Sequence, residues 1–210
     1  NEIGFKYFEE SENSLYNNLW IILDKITNKS EIEVWFDCFN KIGKEESFFD
    51  NNMVHLFSRR LLDSIVEREN SWDEKIESIE FIEAKAIENN LQILGAYSVK
   101  TNLFIIAEKL DKFSEAEIYY EKFKSKYVSE EAIFLIKDEL GRQQFYDGKK
   151  EEALLTLLDI EAINVFVVTK LDTYLTIAKI FGDKDKVVAH EYTKKALDFV
   201  NDNESNQSKY

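Results

Sequence analysis

Two histidines, one cysteine and 41 acidic side chains are the material from which this chain could build chemistry. His190-Glu191 opens like a zinc-protease helix, in which a second histidine four residues on would complete the metal face, but position 194 is Lys and the other histidine is the distant His55. Gly141 to Lys149 reads G-x6-G-K, which is two residues too long for a phosphate-cradling loop, lacks the closing Ser or Thr, and has no strand before it. Cys38 lies in the apolar run Phe36–Phe39 and is expected to be a buried, inert thiol. The paired carboxylates Glu9-Glu10, Glu45-Glu46, Glu130-Glu131 and Glu151-Glu152 fall at helix starts or turns, where the helix dipole favours negative charge, so capping accounts for them without acid–base catalysis. No Ser-His-Asp or Cys-His arrangement is recommended by spacing. The residues therefore predict no catalytic centre, no metal and no cofactor.

Stepping from side chains to the elements that must carry them, the absence of proline and the presence of only 6 glycines among 210 residues argue for long helices joined by tight turns. The frequency of Lys, Asn, Ile, Phe and Tyr shows that part of this reflects nucleotide bias. A hydrophobic content of 44%, with 16 Phe, 10 Tyr and 3 Trp, is enough to build an ordered core. A net charge of −14 repels phosphate backbones and excludes DNA or RNA as a direct ligand. Lys122, Lys124 and Lys126, and Lys149 with Lys150, are read as solvated helix faces. Neither a signal peptide nor an apolar run of about 18 residues is present, which predicts a cytoplasmic protein without membrane contact and makes the sequons at Asn28, Asn203 and Asn206 chance matches.

Apolar residues recur every three or four positions along nearly the whole chain. Leu15 to Ile26 predicts a first helix; Ser30 and Glu33 form a capping-box pattern ahead of a second, which Gly43 ends. A third is predicted from Phe48 to Arg68, with Arg60 beside its buried stripe, and a fourth from Trp72 to about Asn89, opened by a second capping box at Ser71 and Glu74. Leu91 to Leu110 is apolar on several sides and is expected to be central. Further helices are predicted over Ser114–Tyr127, Glu130–Tyr146, Lys149–Asp159, about Val165–Phe181 and Lys184–Val200, with a frayed polar tail over 201–210. The expected fold is all-α, of about ten helices.

Three of these helices are variations on one pattern. Asp111 to Phe123 aligns with Gly148 to Ile160 and, more loosely, with Lys184 to Ala196, so that Ala116, Ala153 and Ala189 recur at intervals of 37 and 36 residues. This resembles the second helix of the tetratricopeptide repeat, in which a small residue lets paired helices approach and a larger one four positions on fills the gap. Leu140-Gly141 stands where that family has its Leu-Gly pair; the other copies have Leu103-Phe104 and Thr176-Ile177 there, and the family's proline is missing throughout. The resemblance covers residues 97–200. It implies antiparallel helix pairs stacked as a right-handed solenoid over 91–200, preceded by a helical part over 1–90 of degenerate repeats or a capping bundle.

Such solenoids carry no chemistry of their own and usually offer a groove, lined by the first helix of each pair, to a peptide or protein. In this register the groove would display Thr101, Ile105 and Glu108, then Asp138, Arg142 and Phe145, then Tyr174, Ala178 and Phe181. The Lys and Asn clamp with which part of the family holds C-terminal carboxylates is absent, since Thr101, Asp138 and Tyr174 occupy its positions. Glu108 and Asp138 would repel acidic tails, so a neutral or basic peptide, or a protein surface, is the expected partner. An alternative assigns Phe145 and Phe181 to packing between helices. A start at Asn1 without methionine suggests a piece of a longer protein. The expectation is a non-catalytic scaffold or sensor segment of a bacterial-type multidomain signalling protein, such as the helical-repeat region of a signalling ATPase. The alternative is the ligand-binding part of an intracellular peptide-pheromone receptor that regulates an attached output domain; a helical hydrolase using scattered carboxylates is a remote third. Self-association as a homodimer is left open.

Overall fold

The computed structural model describes residues 31–36, 51–68, 70–163, 169–182 and 184–207. The expected first helix, the Ser30 capping box, Cys38 and Gly43 lie outside these residues, as do Glu9-Glu10 and Glu45-Glu46. Every regular element among the described residues is helical. Residues 31–36 are helical, and the helices that follow are α1 (Asn51–Val66), α2 (Trp72–Glu88), α3 (Gln92–Phe104), a π-helical turn (Ile105–Lys109), α4 (Phe113–Phe123), α5 (Glu130–Tyr146), α6 (Lys150–Glu161), α7 (Thr169–Phe181) and α8 (Lys186–Gln207). The chain divides into two compact units between Ser98 and Val99, inside α3.

In the first unit, Ile32, Trp35, Phe57, Leu61, Ile65, Ile79, Ile82 and Ala86 are buried, as their helical spacing requires. α1 packs against α2. The Ser71 hydroxyl accepts from the Glu74 amide, and the Glu74 carboxylate accepts from the Ser71 amide at 3.0 Å, so both halves of the capping box are made. Lys75 closes the same turn from the other side. Its ammonium donates to the Val66 carbonyl at 2.8 Å, satisfying an end of α1, and lies 4.1 Å from the centre of the Trp72 ring. Arg60 is exposed and takes no part in the buried stripe of α1; a guanidinium here stays in water while His55 and Ser58 go inside. His55 Nδ1 lies 3.1 Å from the Tyr97 hydroxyl.

The second unit contains the three helices whose sequences align. α5 packs most extensively on α6 and α7 on α8, while α4 lies against the π-turn and α5, and α7 also touches α5 and α6. Phe134, Ala153, Leu157, Ile160, Ile177, Ile180 and Tyr192 form its main apolar cluster. Gly141 explains how tightly α5 and α6 are set: a Cβ there would stand 2.6 Å from Leu157 Cδ2, and Leu157 is fully buried with nowhere to retreat. Ala116 and Ala153 are buried and Ala189 half-buried; in each copy burial continues along the same face, through Tyr119 and Phe123, Leu157 and Ile160, and Tyr192 and Ala196.

Several boundaries differ from the sequence reading. The long helix expected over 91–110 changes to a π-turn at Ile105, where the Leu110 amide reaches back to the Ile105 carbonyl at 3.0 Å. Asp111 then takes a positive φ of 56° and turns the chain into α4. α4 stops at Phe123, short of Tyr127, because α5 is started afresh by Ser129, whose hydroxyl accepts from the Ala132 amide at 3.1 Å. Gly148, at φ 83°, makes the sharp turn from α5 to α6. α8 continues past Val200 to Gln207, so 201–207 are helical and not the start of a frayed tail. Lys149 is more than a solvated surface charge, since it pairs with Glu117 at 2.8 Å and Asp147 at 2.9 Å.

Candidate functional site

The nine groove candidates divide into two groups. Ala178 is buried in the apolar cluster of the second unit, and Phe145, Tyr174 and Phe181 pack against that cluster. Phe181 stacks on Tyr192 with ring centres 6.4 Å apart, and Tyr174 lies 6.2 Å from the same ring, so both aromatic residues serve the α7–α8 contact. Ile105 is fully buried and Thr101 half-buried. The other three, Glu108, Asp138 and Arg142, belong to a polar cluster carried by α3, the π-turn, α5 and α7.

Asp138 has no exposed surface, Glu139 has 2% and Gln143 3%. Burying two carboxylates side by side is costly unless cations and hydrogen bonds compensate, and the compensation comes from three helices. Thr173 Oγ1 of α7 donates to Asp138 Oδ1 at 2.7 Å. Gln143 Nε2 donates to Glu108 at 2.9 Å and to Glu139 at 2.6 Å. The two bonds between helices, Thr173 to Asp138 and Gln143 to Glu108, each span 35 residues. Arg142 donates to Glu139 and places Nε 3.4 Å from Asp138 Oδ2, and Lys100 of α3 lies 3.8 Å from the same oxygen.

These neighbours set the proton affinities. Burial pushes the Glu139 carboxyl above its usual range, against the pull of Arg142 and Lys100. Burial disfavours the Arg142 charge, but Glu139, Asp138 and Asp172 outweigh it, so the guanidinium is held more firmly protonated than usual. Asp138 Oδ2, Arg142 Nε and Gln143 Oε1 are buried without a hydrogen-bond partner. Gln143 also borders a void of about 10 Å³ between α4 and α5, at the lower limit for a single water molecule.

No family model matches the chain, and neither a curated protein nor a solved structure does. Its function is therefore read from the geometry.

A second concavity, an open cleft of about 550 Å³, is formed by α4, α5 and α6 and lined by Glu117, Tyr120, Lys137, Leu155, Thr156 and Asp159. It uses the 137, 140 and 144 stripe of α5, whereas the polar cluster uses 138, 139, 142 and 143. Its charges are all paired, Lys137 with Asp159 inside the cleft, and Glu117 and Glu121 with Lys149 and Lys124 beyond its lining. Among the described residues no three His, Cys, Asp or Glu side chains converge as a metal site, and no helix is long and apolar enough to cross a membrane. Glu130-Glu131 and Glu151-Glu152 sit in the first turns of α5 and α6, and His190 is exposed on α8.

Sequence reasoning placed Glu108, Asp138 and Arg142 near one another and missed Lys100, Glu139, Gln143 and Thr173. The signal for all four was present: Lys100, Glu139, Gln143 and Thr173 each sit one residue from a candidate, on helices already assigned to the groove.

Proposed function

We propose that the second unit is a tetratricopeptide-like solenoid of antiparallel helix pairs, and that the chain is a non-catalytic binding segment for a peptide or a protein. The observation that carries this reading is the pair of equal-span bonds, Gln143 to Glu108 and Thr173 to Asp138, by which α3 with its π-turn, α5 and α7 pool their polar side chains on one another. A series of like helices joined at a constant interval is how a repeat presents an extended surface. The close approach at Gly141 and the small residues Ala116 and Ala153 support the pairing. The polar cluster suits recognition better than catalysis, because Asp138 and Glu139 are offset by Lys100 and Arg142 and are too deeply buried to act on a substrate.

The test is selection of a randomised displayed-peptide library on the full chain, followed by affinity measurement with synthetic copies of the winners. The reading expects neutral or basic sequences whose binding weakens about tenfold or more with Arg142→Ala, the scale of an anchoring contact. Failure to enrich any sequence, or winners indifferent to substitution along α3, α5 and α7, would overturn it.

A further inference from the structure

We draw no further inference here: the strongest candidate, the open cleft formed by α4, α5 and α6 with the exposed Leu155 on its lining, carries nothing because its charges are already paired and nothing in the structure shows what covers it.

Discussion

Two faces of α5 serve opposite ends. Toward α6, the helix offers Phe134 and Gly141 to Ala153, Leu157 and Ile160, a dry contact so close that a methyl group does not fit. Toward α3, the π-turn and α7, it offers Asp138, Glu139 and Gln143, polar groups just as deeply placed, together with the partly exposed Arg142. Apolar burial gains free energy from every area removed from water, whereas a buried ion cluster must recover desolvation through good geometry and recovers little beyond it. The first face holds the unit together. The second is held by ion pairs and hydrogen bonds that arrive from three helices.

Truncation on the dry face should have the largest effect. Leu157→Ala removes a fully buried side chain facing Gly141 and should cost about 2–5 kcal/mol in denaturant unfolding, as buried leucines do. A value within experimental error of zero would show that the close approach of α5 and α6 contributes nothing. Gly141→Ala acts on the same contact in the opposite sense: overpacking costs about 1–3 kcal/mol, and the better helix propensity of Ala returns up to about 1 kcal/mol, so net destabilisation is expected. Gain of stability would mean the helices separate freely.

On the polar face, Thr173→Val keeps shape and removes the hydroxyl that donates to buried Asp138. The expected loss is about 1–3 kcal/mol, because the abandoned acceptor is buried. Glu139→Gln should alter the pH dependence more than the stability itself. The Glu139 carboxyl is raised above its usual value of 4.5 by burial, so in the window from there up to its folded value the folded chain binds more protons than the unfolded one. Stability therefore falls as pH rises through that window in the wild type, and urea titrations should show this component missing in Glu139→Gln. An identical pH profile would remove the buried carboxyl from the account. The smallest effect belongs to the rim of the neighbouring cleft, where Lys137→Ala breaks a partly exposed pair with Asp159 and should cost less than about 1 kcal/mol.

Helix existence was legible in the sequence because period and capping are local. The Ser71–Glu74 box could be read from two residues three positions apart, and the span Glu130–Tyr146 of α5 follows from its apolar repeat. What local pattern does not encode was missed. The π-turn at Ile105–Lys109 depends on one extra residue being absorbed where α3 ends, and the apolar run Leu103 to Ala107 crosses that point without a break. Side-chain direction was the second gap: Tyr174 shares a stripe with the groove candidates, yet Tyr192, 18 residues away in sequence, draws it into the α7–α8 contact, as it does Phe181, for which packing between helices was the alternative reading. Asp138, chosen as a groove residue, is fully enclosed because Thr173, Lys100 and Arg142 reach it from three helices.

Hydrogen exchange of the full chain with and without a saturating selected peptide sets the two faces against each other directly. The account predicts added protection along α3, the π-turn, α5 and α7, centred on Lys100, Asp138 and Arg142, with α4 and α6 unchanged. Protection centred instead on α4 and α6, around the cleft of Tyr120, Leu155 and Thr156, would contradict it.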